Sequence, residues 1–400
     1  SKSEKPADIN LLFIEEPEAH THPQMQYVFI KNIKNMLDTE TKGKINLQTI
    51  VSTHSSHIVS QSDFNDIKYF YKDEQSNNVI SKNLSDLENL YSLKAKKILS
   101  ANVEVSNDKK KEVDTDDKSD VKLEKAEENL IDAVQKKNFQ FIKQYLTLNK
   151  SELFFADKVV FIEGDTERIL LPVIMLKIDL ENISTPDYVP LLSQNISIVE
   201  VGAFSHLFDN FLNFLGIKTL IITDLDSVKT VQQTNDLGEV KMNKDGVAKT
   251  SNQSCPVSEG TETSNASIKH YLKGKTFEQL KTLSSEDKQL NKNFDNWVKD
   301  PIGKLRIAFQ TSQNNYHARS FEDAFISINL EFLKDHKDQF TSLKNISKLS
   351  ATPVNYYDIA NNCIEKKTSF ATEILYYSNE TYSDWAIPEY IKEGLIWLAQ

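Results

Sequence analysis

Four hundred residues are enough for two or three domains, each with a sizeable core. The composition, 39% hydrophobic and 26% charged, is ordinary for a soluble globular protein, and no apolar run approaches the ~20 residues that a membrane-spanning helix needs. The two cysteines, Cys255 and Cys363, form neither a disulfide framework nor a metal-ligand spacing, which predicts a reducing, cytoplasmic setting without a membrane. A net charge of −11 is unusual for a nucleic-acid binder, unless carboxylates gather around metals or a basic surface lies elsewhere.

The first hundred residues predict part of an α/β domain, because short apolar runs alternate with a helical pattern. The predicted elements are a buried strand at 9–16, a helix at 23–38, a second strand at 47–52 and a hairpin formed by 66–72 and 78–83.

Two adjacent acids, Glu15 and Glu16, end the first predicted strand, and His54 follows the second. ATP hydrolysis needs one carboxylate to hold Mg²⁺ and another to orient the attacking water, and both must lie at a strand end near the phosphates. Glu15 and Glu16 suit these two roles, and His54 suits a sensor of the γ-phosphate. A zinc site built from the histidines of these segments is disfavoured, since no cysteine lies nearby.

The ten glycines of the chain include no Gly-x4-Gly-Lys-Ser/Thr phosphate-binding loop. The chain also starts with serine, close to the first predicted strand. We therefore expect a fragment that carries only the second half of an ATPase head, and that neither binds nor hydrolyses ATP well by itself.

Three regions are predicted: residues 1–100 as the ATPase part, 101–150 as a linker, and 151–400 as a second α/β domain. The linker begins with a charged insertion over 101–125 that cannot bury much surface, and continues as a helix to residue 148. In the second domain, strands at 158–164, 196–201 and 219–223 alternate with helical segments, which predicts a parallel sheet flanked by helices. A polar insertion is expected over about 228–268, with helical additions from 276 to the end.

Four acids of this domain are expected to meet at one edge of the sheet. Glu163 ends one strand, and Glu167 lies one helical turn further on. Asp224 and Asp226 end another strand as Asp-x-Asp. The carboxyl ends of parallel strands meet at a single crevice, and acids gathered there repel one another unless cations neutralise them. Two divalent metals roughly 4 Å apart would clamp the attacking and leaving oxygens of a phosphodiester. Oxygen ligands favour Mg²⁺ or Mn²⁺.

Together, these two constellations resemble the overcoming-lysogenisation-defect (OLD) family of ATP-dependent nucleases, which join an ABC-type ATPase head to a TOPRIM (topoisomerase–primase) domain. The resemblance depends on Glu-Glu-Pro-Glu-Ala-His-x-His-Pro-Gln near the start and on Ser-Thr-His-Ser-Ser-His in 52–57. In the second domain it depends on Val-Phe-Ile-Glu-Gly-Asp-Thr-Glu-Arg up to residue 168 and on Ile-Ile-Thr-Asp-Leu-Asp in 221–226.

The resemblance implies roles for individual residues. Glu15 would be the Mg²⁺-associated acid, Glu16 the general base and His54 the switch histidine. The four acids of the second domain would bind the two metals, and the late pair Glu322 and Asp323 would join them. A late lysine stabilises the scissile phosphate or leaving group in such enzymes. Lys367 is a better candidate for this role than Lys366.

The resemblance also implies a metal-dependent DNA endonuclease or nickase, regulated by ATP in the intact protein, that serves in anti-phage defence. It further implies a homodimer or higher homo-oligomer, and a helicase-like or reverse-transcriptase partner. Two alternatives stay open. One is a topoisomerase or primase-like enzyme, although a topoisomerase would need a catalytic tyrosine on a DNA-breaking domain, which the sequence does not reveal. The other is an ATP-gated DNA-binding clamp without nuclease activity.

Overall fold

The computed structural model describes residues 10–40, 47–72, 77–91, 117–148, 150–235, 237–243, 246–294 and 296–400. The chain divides into two units, residues 1–156 and 157–400. None of the helices in these described ranges is long and apolar enough to cross a membrane.

The first unit contains a two-stranded parallel sheet. Its strands are β1 (Asn10–Glu15) and β2 (Leu47–Ser52), paired so that Glu15 lies opposite Ser52. The other elements are α1 (Pro23–Glu40), α2 (Ser56–Ser60), the hairpin of β3 (Lys68–Lys72) and β4 (Val79–Asn83), α3 (85–91) and α4 (Asp117–Leu148). The charged insertion was predicted over 101–125. Its residues 101–116 lie outside the described residues, and its residues 117–125 belong to α4.

The second unit has a six-stranded sheet in the order β12-β11-β13-β7-β5-β6. β6 (Ile196–Glu200), β5 (Lys158–Ile162), β7 (Lys218–Ile222) and β13 (Leu305–Ala308) are parallel, whereas β11 (Gln289–Asn293) and β12 (Asn296–Lys299) run antiparallel to their neighbours. β5 and β7 are apolar and almost fully buried, as strands covered on both faces must be. The predicted α/β class with a largely parallel central sheet is therefore confirmed.

Helices complete the core of this unit. α5 (Asp165–Asn182) packs against α12 (Lys367–Tyr377), and α13 (Glu389–Ala399) lies against β7 and β13. The core joins sheet residues such as Val160 and Leu220 to Phe325. The remaining helices are α6 (Asp209–Leu215), α7 (Ala266–Tyr271), α8 (Phe277–Thr282), α9 (Phe321–Ile328), α10 (Leu330–Asp335) and α11 (Tyr356–Asn362).

Two expectations for the second unit need correction. The region from 276 onward is not helical throughout, since β11, β12 and β13 occupy 289–308 and two short strands follow, β14 (Ser312–Gln313) and β15 (Tyr316–His317). β13 is a run of only four buried residues, too short for its periodicity to distinguish strand from helix. The polar segment at 228–268 contains a three-stranded sheet of β8 (Ser227–Gln232), β9 (Thr250–Ser254) and β10 (Glu262–Thr263).

Candidate active site

The carboxyl ends of β5 and β7 lie side by side in the sheet, so the residues that follow them share one edge. Glu163 follows β5, and its carboxylate accepts hydrogen bonds from the Thr223 hydroxyl and from the Asn265 amide, the latter at 2.7 Å. Asn265 also donates to the Thr223 hydroxyl at 2.8 Å and caps α7. Burial raises the pKa of Glu163, and the charge of Asp226 acts in the same direction. The edge therefore holds a carboxylate whose orientation is fixed from two sides.

Glu167 lies in the first turn of α5, where its carboxylate accepts a hydrogen bond from the Gly164 amide at 3.2 Å. This capping bond turns the side chain back toward Glu163, as the sequence spacing predicts. Glu167 is only 8% exposed. Burial, together with the charges of Glu322 and Glu163, raises its pKa to about 7. Without a metal ion beside it, this carboxyl group is about half protonated at neutral pH.

Asp224 follows β7, and one of its oxygens accepts two hydrogen bonds. The donors are the side-chain amide of Gln310, at 2.7 Å, and the backbone N–H of Phe321, at 3.0 Å. Phe321 begins α9, so the carboxylate lies at a helix N-terminus, which favours negative charge. Even so, burial holds the pKa of Asp224 well above its ordinary value, and four other acids contribute, namely Glu163, Glu167, Glu322 and Asp226.

Gln310 is a residue of this site that sequence reasoning missed. Its side-chain oxygen accepts from the Leu225 N–H at 2.6 Å, while its nitrogen donates to Asp224 and to the Tyr390 hydroxyl. The side chain is 1% exposed. Gln310 thus fixes both the orientation of Asp224 and the backbone of the Asp-x-Asp turn. It follows β13 directly, so predicting that strand would have been the signal for it.

Asp226 has a positive φ of 50°, and its carboxylate pairs with the Arg319 guanidinium at 2.6 Å. Aspartate is one of the few residue types that tolerates this left-handed conformation. Arg319 was not predicted, and no local motif marks it. The cation places a positive charge beside the outermost of the four acids.

Glu322 and Lys367 reach the same group of acids from later in the chain. The Glu322 carboxylate is 3% exposed, pairs with the Lys367 ammonium at 2.9 Å and accepts from the Thr166 hydroxyl at 3.3 Å. Lys367 is 61% exposed and begins α12. Two of the three residues predicted from the late segments, Glu322 and Lys367, therefore lie beside the strand-end acids.

Asp323 is placed differently from Glu322. Its two oxygens accept from the Ser320 N–H at 2.6 Å and hydroxyl at 2.9 Å, and from the Arg319 N–H at 2.8 Å and Tyr316 hydroxyl at 2.9 Å. It closes the capping box of α9 and is 1% exposed. Burial raises its pKa despite these bonds. The geometry makes Asp323 an anchor for the helix that carries Glu322.

The chemistry of the cluster suits hard divalent cations, because its donors are carboxylate oxygens that repel one another. Across the described residues, no three carboxylate, imidazole or thiol side chains surround one point as they would a cation. The acids are instead turned toward protein donors, such as Gln310, Arg319 and Lys367. The donor types fit Mg²⁺ or Mn²⁺, and the side chains would need to turn to enclose them.

The first unit brings its own predicted residues together. The His54 ring lies 3.4 Å from the Glu16 carboxylate, at the carboxyl end of β1 and β2. Glu15 is exposed at the last position of β1. Glu18, not predicted as a site residue, accepts from the Thr53 hydroxyl at 2.8 Å and from the His54 N–H at 2.5 Å. It thus joins the acidic turn to the histidine segment.

Comparisons with known proteins agree with this arrangement. Residues 1–59 match the AAA ATPase domain, and residues 154–226 match the TOPRIM domain of proteins like the overcoming lysogenization defect protein. Endonuclease GajA of Bacillus cereus (strain HuB5-5) is 30% identical over 424 residues, covering 98% of this chain and 49% of that protein. The Old nuclease of Escherichia phage P2 is 24% identical over 289 residues, covering 71% of this chain and 38% of that protein.

A solved structure, the C-terminal region of the Burkholderia pseudomallei OLD protein, covers 61% of this chain and 98% of its own, with a TM-score of 0.32 and 17% identity. The chain thus spans about half the length of the first curated relative and less of the second. The resemblance predicted from the motifs is confirmed: an AAA-type ATPase segment precedes an OLD-like TOPRIM domain.

Proposed function

We propose that this chain, in which an AAA-type ATPase segment precedes an OLD-like TOPRIM domain, carries the nuclease centre of a metal-dependent DNA endonuclease or nickase. The observation that carries the proposal is the gathering of Glu163, Glu167, Asp224, Asp226 and Glu322 at one sheet edge, where burial and the charges of the other four acids raise the pKa of Asp224. The names of the two relatives, an endonuclease and a nuclease, support the same reaction class.

The five acids would hold two Mg²⁺ or Mn²⁺ ions, which supply Lewis acidity and lower the pKa of bound water. The chain's own residues do the positioning. Gln310 keeps one oxygen of Asp224 engaged, and the other oxygen would bind a cation. Asn265 and Thr223 orient Glu163. Lys367, exposed beside Glu322, is the cation placed to meet a substrate phosphate when metals engage the acids.

The first unit would contribute nucleotide control in the longer protein. Glu15 and Glu16 would serve the Mg²⁺ and water of bound ATP, with His54 as the sensor beside Glu16. ATP would then regulate cleavage in a homodimer or higher homo-oligomer. An anti-phage role and a helicase-like or reverse-transcriptase partner follow from the family resemblance, a cytoplasmic setting follows from the two unpaired cysteines, and these complete this proposal.

The direct test is conversion of supercoiled plasmid by the 400-residue chain in Mg²⁺, in Mn²⁺ and in EDTA. We expect nicked and linear products with either metal and none in EDTA. The ionised acids repel a substrate phosphate unless cations are bound between them. Products that carry covalently attached protein would instead indicate a topoisomerase. The clamp would be favoured if the folded chain and the longer protein both bound DNA but gave no cleavage products under any condition.

A further inference from the structure

A β-ribbon, here called the arm and comprising the described residues 227–235, 237–243 and 246–254, begins immediately after Asp226. β8 and β9 pair antiparallel in it, from Val228 opposite Ser254 to Gln232 opposite Thr250. Beyond the strands the pairing continues, with the Gln233 N–H donating to the Lys249 carbonyl at 2.8 Å. Six residues of β8 extend about 20 Å, roughly the rise of six base pairs. The arm is thus long enough to follow a duplex away from the acids.

The exposed part of one face of the arm is polar and uncharged. Side chains alternate along a strand, so residues of cross-strand pairs point to the same side. The polar face consists of Thr230, Gln232, Thr250, Asn252 and Ser254, all of them exposed. Its exposed positions carry no acid and no apolar side chain, in a chain whose net charge is −11, and its apolar member, Val228 opposite Ser254, is buried. The opposite face carries Ser251 and Gln253 on β9 and Val231 and Lys229 on β8, where Lys229 pairs with Glu259 at 2.6 Å.

Arg319 joins this polar face to the acid cluster. Its guanidinium pairs with Asp226 at 2.6 Å and donates to the Ser254 hydroxyl at 3.4 Å. The Arg319 Nε also donates to the Ser227 carbonyl at 3.2 Å. The polar face therefore starts at the same cation that neutralises the outermost acid, and the two surfaces are continuous.

The base of the arm is held firmly in the second unit. The Ser227 hydroxyl donates to the Cys255 carbonyl at 2.5 Å, and the Thr261 N–H donates to the Val228 carbonyl at 2.9 Å. The Thr263 hydroxyl of β10 donates to the Leu225 carbonyl at 2.6 Å, inside the Asp-x-Asp turn. These bonds fix the direction in which the arm leaves the acids.

We propose that the polar face of the arm contacts the phosphate–sugar backbone of the DNA substrate on one side of the cleaved bond; this rests on the nuclease function proposed above. Hydroxyl and amide side chains commonly donate to phosphate and sugar oxygens, and such contacts set the register of a duplex. A two-stranded ribbon also has the dimensions to lie along a groove. The acids by themselves repel phosphates. A neutral surface rich in hydrogen-bond donors, which begins at Arg319, would contact the DNA backbone next to them. The TOPRIM match ends at residue 226, immediately before the arm.

The test compares two double variants of the whole chain that add the same charge to the same strand. Thr250→Glu/Asn252→Glu alters the polar face, and Ser251→Glu/Gln253→Glu alters the opposite face. Affinity is measured by fluorescence anisotropy with a labelled duplex of about 25 base pairs, in Ca²⁺ in place of Mg²⁺. We expect the polar-face variant to raise Kd about tenfold, through repulsion of phosphates, and the control to change it less than about twofold.

Equal Kd changes in the two variants, or none in either, would overturn the inference. So would a polar-face variant that alters self-association in sedimentation velocity while it leaves DNA affinity intact. Plasmid cleavage by the wild-type chain is measured in parallel. If the wild-type chain cleaves plasmid and the two variants bind DNA with the same affinity, only the role of the arm is refuted. If the wild-type chain neither binds nor cleaves DNA, the nuclease function is refuted as well.

Discussion

Replacing Asp224 with asparagine is expected to lower metal-dependent plasmid cleavage by about a thousandfold while the chain stays folded. Gln310 and the Phe321 N–H both donate to one oxygen of Asp224, so the asparagine carbonyl takes that place. The remaining oxygen becomes an NH₂ group, which cannot bind a cation. The substitution therefore removes a metal ligand but preserves the hydrogen bonds that hold the turn.

The matched control is Asp335→Asn, which removes one negative charge from an exposed position on α10. We expect its cleavage rate to equal that of the wild type. Circular dichroism and thermal unfolding of both variants establish that they fold. A folded Asp224→Asn variant that cleaves within a few-fold of the wild type would place the nuclease centre elsewhere.

The metal-free second unit is expected to lose stability as the pH rises from 4.5 to about 7, because burial raises the pKa of Glu167 over that interval. The folded state holds the proton of Glu167 there while the unfolded state releases it, so the free energy of unfolding falls as pH rises. The loss from this group is on the order of 3 kcal/mol. Mn²⁺ binds the ionised form, so its stabilising effect is expected to grow over the same interval.

Tryptophan fluorescence during urea unfolding in EDTA measures this, since all three tryptophans, Trp297, Trp385 and Trp397, lie in the second unit. Glu167→Gln should remove the part of the loss that Glu167 contributes, because a neutral amide does not titrate, while Glu163 and Asp224 keep their own contributions. Glu380→Gln, at an exposed position, should leave the loss as in the wild type. If Glu167→Gln kept the full pH dependence, the cluster would not have the electrostatic coupling described here.

The sequence predicted the acids that come shortly after two apolar strands. Glu163, Asp224 and Asp226 follow runs whose buried character is plain, and parallel pairing then requires that they meet. Glu167 was predictable because a helical turn returns to the strand end. The roles of these residues in metal binding and catalysis remain predictions.

Residues that reach the site from distant or poorly marked segments were harder to predict. Gln310 follows a strand of only four residues, and Arg319 lies in a loop whose pairing with Asp226 depends on the three-dimensional fold. From the sequence, Asp323 was the better catalytic candidate of the late pair, with Glu322 expected only as a metal ligand. The structure places them differently, because Ser320, Arg319 and Tyr316 donate four hydrogen bonds to Asp323, whereas Glu322 lies beside Lys367.

The central claim is that the clustered acids of the second unit bind two divalent cations. Titration of the metal-free chain with Mn²⁺, followed by electron paramagnetic resonance of the free ion, tests it most directly. We predict two bound Mn²⁺ ions per chain at a pH above 7, with at least one lost in Asp224→Asn and both kept in Asp335→Asn. No bound Mn²⁺, or binding that Asp224→Asn leaves unchanged, would contradict the account.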